Sequence, residues 1–131
     1  MSDETPGAIV IVDHGSRAEA ANALLDQAAA QLRERFVGRR VVAAHMEIAE
    51  PGLPEAIDTC VAAGARQITV ALWFLAPGRH GKGDIPRMVE EARARHPGVR
   101  IGVAAPLGLH SGLIDAVVDR ISESESHSRT G

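Results

Sequence analysis

The chain has 131 residues and a mass of 13.8 kDa, a size that suits one domain and not two. Hydrophobic residues at 45% and charged residues at 24% are too balanced for a disordered chain, and a net charge of -3 offers no global basic field to nucleic acid or anionic lipid. Phe36, Trp73 and Phe74 are the whole aromatic set, which leaves no stacking platform for bases, and the single Cys60 excludes an intrachain disulfide or a multi-cysteine metal cage. The longest apolar run, residues 70–76, is too short to cross a bilayer, and residues 1–6 carry neither a basic region nor an apolar signal core. A cytoplasmic protein with no nucleic-acid or membrane partner is expected.

Past a flexible segment at 1–6, four apolar runs alternate with four stretches of helical periodicity. The first run, residues 8–12, leads to a helix with Ala21, Leu24, Leu25, Ala28, Leu32 and Phe36 on one face. The second, 41–44, leads to a helix carrying Leu53, Ile57, Cys60 and Val61, with Pro54 tolerable in its first turn and Gly64 at its end. The third, 68–75, precedes a helix that starts at Asp84 as N-cap, buries Met88, Val89 and Ala92 and stops at His96-Pro97-Gly98. The fourth, 99–105, is followed from about His110 by a helix presenting Leu113, Ile114, Val117, Val118 and Ile121. Near-continuous apolar strands are those of a parallel sheet covered on both faces. The order predicts an α/β fold, a four-stranded parallel sheet of order 2-1-3-4 flanked by helices, in one domain over residues 7–121. Residues 122–131 lack an apolar face and read as a disordered tail.

Ligands of open α/β sheets bind beyond the carboxyl ends of the strands, where strand order reverses. The order 2-1-3-4 places that switch point between strands 1 and 3. The polar segments Asp13-His14-Gly15-Ser16-Arg17 and Pro77-Gly78-Arg79-His80-Gly81-Lys82-Gly83-Asp84 follow those strands, and His45-Met46-Glu47 follows strand 2. His14 and His80 with Glu47 form a two-histidine, one-carboxylate set that suits Fe(II), Co(II) or Ni(II) with open positions. The alternative for each imidazole is a helix cap or a bond to a loop carbonyl. His45 would face the same way as Glu47 if its strand continued that far, and His110 could line the same cleft. His96 ends a helix, His127 lies in the tail, and Cys60 falls on a core stripe. Arg17, Arg79 and Lys82 give the rim positive charge suited to carboxylates, against a reading as solvated loop charge. The glycines at 78, 81 and 83 make no phosphate-loop register, and Gly15-Ser16 makes no nucleophile elbow. Arg79-His80-Gly81 is similar to the triplet of histidine phosphatases, but there the triplet follows the first strand, where this chain has Asp13.

Together these segments resemble the small sirohydrochlorin chelatases, the short cobaltochelatase and ferrochelatase group of class II chelatases. The resemblance rests on Asp13 to Arg17 with Asn22, on 44–51, on Gly64-Ala65-Arg66, on 74–80 leading into Asp84-Ile85-Pro86, on 96–99, and on Pro106-Leu107-Gly108. It implies a chelatase-like three-layer sandwich, a homodimer, and insertion of Co(II), Fe(II) or Ni(II) into sirohydrochlorin, a tetrapyrrole with eight carboxylates. It places the metal ligands on His14, His80 and Glu47, and no tightly bound cofactor is expected beyond the metal substrate. Insertion removes two pyrrole N–H protons, and a His or Glu47 would accept them. Because imidazole ligates only when neutral, acid should suppress the activity. The same residues would also serve a metal or tetrapyrrole carrier without turnover, and a phosphoryl-transfer enzyme is the more distant alternative.

Overall fold

The computed structural model describes residues 7–76 and 78–130, the side chains of 78–83 and 127–130 lying outside the description together with 1–6, 77 and 131. Strands β1 (Ala8–Asp13), β2 (Val41–His45), β3 (Gln67–Leu72) and β4 (Arg100–Val103) alternate with helices α1 (Glu19–Arg35), α2 (Leu53–Ala62), α3 (Gly78–Arg95) and α4 (Ser111–Thr130). Every pairing is parallel and the order is β2-β1-β3-β4, as the alternation of elements predicts. Strand β1 is buried on both faces because it is central. Val10 and Val12 pack with Leu53, Ile57, Val70 and Val89 beneath α2 and α3, while Ile9 and Ile11 pack with Leu25 and Ala29 beneath α1. Each fully buried aliphatic side chain in this core contributes about 2 kcal/mol.

The structure departs from the sequence pattern at both ends of the helical layer. Helix α1 crosses β1 and β2 and buries Leu25 and Ala29, so Leu24, on its flank, and Phe36, at its C-cap, are left exposed. Arg39 instead covers the Phe36 ring, 5.0 Å from its centroid. Helix α3 begins at Gly78 and runs through Asp84 and Pro86. Pro86 lies inside the helix and carries no N–H for its ladder. Helix α4 continues to Thr130 through the segment read as a disordered tail. Extending a nucleated helix adds a bond per residue without a new nucleation penalty, and Arg120 Nη1 meets Glu123 Oε1 at 3.0 Å along the way.

Asp58 on α2 brackets the end of α3, accepting hydrogen bonds from His96 Nε2 at 2.7 Å and Arg95 Nη2 at 3.0 Å. Partial burial pushes the Asp58 carboxyl up, but the bonds from His96 and Arg95 outweigh it and hold the pKa below the ordinary carboxylate value. A depressed carboxylate stabilises the fold above its unfolded pKa and loses that contribution as pH falls through the folded one. Asp58→Asn is therefore expected to melt a few degrees below wild type at neutral pH, with the gap closing in acid. Paired thermal melts across pH check it, and a gap that persists unchanged in acid would contradict it.

Candidate metal and ligand cleft

His14, Arg17 and Glu47 stand on the loops leaving the carboxyl ends of β1 and β2, on the rim where the strand order reverses. The β1–β2 ladder does not stop with the strands. Met46 N donates to Asp13 O at 2.9 Å and Glu47 N to His14 O at 3.1 Å, so the backbones of His14 and Glu47 are held side by side. The chain then turns sharply. Ala49 N donates to Glu47 O at 2.8 Å across Ile48, whose φ of 73° is the strained left-handed value of a tight three-residue turn. The loop returns to β2 through the bond from His45 N to Pro51 O.

Gly15 explains how the two loops approach so closely. Its φ is +91°, and a Cβ there would overlap the carbonyl oxygen of Glu47. Only glycine satisfies both conditions. Behind it, Ser16 and Asn22 exchange hydrogen bonds, Ser16 N to Asn22 Oδ1 at 3.0 Å and Asn22 Nδ2 to Ser16 O at 2.7 Å. These bonds brace the loop that carries His14 and Arg17 against α1.

The His14 ring is exposed and stacks on Phe74, centroids 4.5 Å apart and planes 24° from parallel. That contact joins the loops after β1 and β3 across the switch point, and it fixes the plane in which the imidazole nitrogens lie. Glu47 and Arg17 are exposed on the same rim. His80, Arg79 and Lys82 belong to the first turns of α3, which follow β3, and their side chains lie outside the described residues. Among the described residues, no three His, Cys, Asp or Glu side chains gather into a metal cluster. The metal set read from the sequence includes His80 and so is not covered by that description.

Two candidates are placed differently from expectation. Strand β2 ends at His45, so no shared face with Glu47 forms. His45 is only 4% exposed and its Nδ1 donates to Asp13 Oδ1 at 2.6 Å. It ties β1 to β2 beneath the rim. His110 caps α4, its Nδ1 accepting from Gly112 N at 2.9 Å. Asp13 and Phe74 are the positions whose roles the sequence did not disclose. The only signal for either was its place next to a chemistry-bearing segment.

A parallel sheet with polar loops gathered at its switch point is the ligand-binding arrangement of a doubly wound α/β protein. Residues 8–124 match the CbiX family model, and the chain belongs to the CbiX family. It is 41% identical over 119 residues to the chloroplastic sirohydrochlorin ferrochelatase of Arabidopsis thaliana, which covers 91% of this chain and 53% of the relative. A CbiX protein from Marinobacter aquaeolei VT8 superposes with a TM-score of 0.82 at 32% identity, covering 95% of this chain and 98% of that one. The sirohydrochlorin chelatase SirB from Bacillus subtilis subspecies spizizenii, in complex with cobalt, gives 0.78 at 29% identity over 89% of this chain and 50% of that one. The chain thus spans about half the length of the Arabidopsis and Bacillus relatives.

Proposed function

We propose that the protein is a soluble, cytoplasmic chelatase that inserts a divalent metal, Co2+, Fe2+ or Ni2+, into sirohydrochlorin and works as a homodimer. The observation that carries this reading is the exposed His14 imidazole, stacked on Phe74 at the switch point and bonded through its backbone to Glu47. Family membership and the names of the relatives supply the substrate class.

In this reading His14 and Glu47, with His80 from the start of α3, hold the incoming metal while leaving positions open. The macrocycle lies against the rim, where the exposed aliphatic side chains of Ile48 and Leu75 suit the face of a tetrapyrrole. Its carboxylates meet Arg17, Arg79 and Lys82, and the remaining ring nitrogen of His110 is a further donor candidate at the edge. As the metal exchanges its protein and water ligands for four ring nitrogens, two pyrrole protons leave. His14, His80 or Glu47 accepts them, since a group released from the metal becomes a base. His45 acts at one remove, fixing with Asp13 the strand ends that carry His14 and Glu47.

Anaerobic insertion assays with each of the three metals test the proposal. Turnover beyond one metal per protomer is expected and separates a chelatase from a carrier. His80→Ala is expected to lower the rate by on the order of 100-fold and Glu47→Ala by at least about 10-fold. A wild-type rate in His80→Ala would remove that residue from the site.

A further inference from the structure

The sheet has two borders, β2 and β4, and no further strand lies beyond either. On β2 the even-numbered residues bond inward to β1, with Ile9 N donating to Arg40 O at 2.8 Å and Met46 N to Asp13 O at 2.9 Å. Val41 and Ala43 therefore turn their N–H and C=O groups away from the sheet. The loop after β2 folds back over the far end of this border, where His45 N donates to Pro51 O at 2.9 Å. The stretch 41–43 lies before that cover. On β4 the pattern repeats. Arg100 N donates to Arg66 O and Ala104 N to Val70 O, each at 2.9 Å, so Ile101 and Val103 face outward. Both stretches are short, apolar and rich in β-branched residues, the composition that invites a strand of another chain to pair.

At each border one outward carbonyl is already taken. Arg33, in the last turn of α1, donates to Val41 O from Nε at 3.1 Å and from Nη2 at 2.7 Å. Arg93, in the last turn of α3, donates to Ile101 O from Nε at 3.0 Å and from Nη2 at 2.7 Å. Each arginine stands eight residues before the carbonyl it holds. The two helices nevertheless cover opposite faces of the sheet, α1 over Ile9 and Ile11, α3 over Val10 and Val12. The same contact is thus made twice, from different sides. On β4 it is steadied further, because Glu90 Oε2 accepts from Arg93 Nη1 at 2.6 Å.

We propose that Arg33 and Arg93 are edge guards, each blocking the addition of another chain's strand at its border of the sheet. A guanidinium at hydrogen-bond distance from an outward carbonyl occupies the place that an incoming N–H would take. Pairing there must displace a two-pronged, charge-assisted bond, which is stronger than the neutral bond that replaces it. A displaced arginine would also have its charge pressed against an apolar strand and stripped of water. Helices cover the faces of this sheet but cannot cover its edges, so protection of the edges falls to side chains that reach around them.

The test is self-association of the full chain, measured well below its melting temperature. Arg33→Met and Arg93→Met keep an aliphatic stem and remove the donors and the charge. Gly64→Ala, strained at φ +101° with open space around its new Cβ, controls for lost stability alone. Guarding predicts that each methionine variant keeps the circular dichroism of the folded chain yet sediments as larger species than wild type. The double variant should assemble most. The association constant is expected to rise on the order of 10-fold or more for each guard removed, the worth of one displaced hydrogen bond to a charged group. Hydrogen exchange then locates the contact. The outward amides of 41 and 43, or of 101 and 103, should become protected in the assemblies of the matching variant. Wild-type sedimentation of the double variant overturns the proposal and leaves the arginines as staples between helix and strand. Assembly of Gly64→Ala to the same extent overturns it too, as does assembly that leaves the border amides unprotected.

Discussion

His14→Ala is expected to bind sirohydrochlorin but insert metal about 100-fold more slowly or worse, with its melting temperature unchanged. The loss follows from geometry. His14 stands at the crossing point of the loops after β1 and β3, its ring held against Phe74 at 4.5 Å, and its carbonyl bonded to the Glu47 amide at 3.1 Å. An alanine keeps that backbone bond, so Glu47 stays in place and only the imidazole is removed. A proposed metal ligand and one of the three proposed proton acceptors disappear together, and general-base groups alone are commonly worth 100-fold or more. Stability should not change because the ring is exposed and buries little apolar surface. Phe74→Ala is the informative companion. It leaves the imidazole but frees its orientation, and a loss of about 10-fold is expected, smaller than for His14→Ala. Steady-state insertion rates with Fe2+ and Co2+, beside binding titrations of the tetrapyrrole, check both variants. A wild-type rate in His14→Ala would remove the residue from the metal path.

The legible part of the fold is the part dictated by burial. Residues 8–12 are apolar without alternation because β1 is central and covered on both sides, and that pattern alone fixes its place in a parallel sheet. Once strand order was set, the switch point followed, and with it the convergence of the segments after β1 and β2. Less legible were features decided by tertiary context. The run at 78–83 holds three glycines ahead of Asp84 and Pro86, a composition that weighs against helix by roughly 1 kcal/mol per glycine, yet α3 starts at Gly78. His45 read as a rim residue because nothing local shows that β2 ends there or that Asp13 waits beneath it at 2.6 Å. Helix α4 carries an apolar stripe by any periodicity criterion, so the expected partner was its own sheet. In the structure Ile114, Val117, Val118 and Ile121 of that stripe instead stay about half exposed.

Gly15→Ala is expected to damage stability and activity together, because among the described glycines it alone pairs a left-handed φ with a collision against backbone. Two independent penalties meet at this position. The φ of +91° is left-handed, and an L side chain there is strained by about 1–2 kcal/mol. The added Cβ also lands on the carbonyl oxygen of Glu47, which is backbone and has no rotamer by which to move away. Relief requires the loop after β1 to part from the loop after β2, and that motion breaks the Glu47 N to His14 O bond that aligns two of the proposed metal ligands. The total is expected to reach about 3 kcal/mol, the range of overpacked buried sites, with an insertion rate as low as that of His14→Ala. Gly64→Ala separates the two penalties. Its φ of +101° is just as left-handed, but a Cβ there meets nothing within 4 Å. Only the conformational strain remains, so Gly64→Ala should lose about 1–2 kcal/mol and keep its full insertion rate once folded. Denaturant titrations with parallel activity assays on the two variants distinguish strain from collision. Equal stability losses, or a Gly15→Ala variant with an unimpaired insertion rate, would show that the His14 and Glu47 loops are not locked together as the backbone geometry requires.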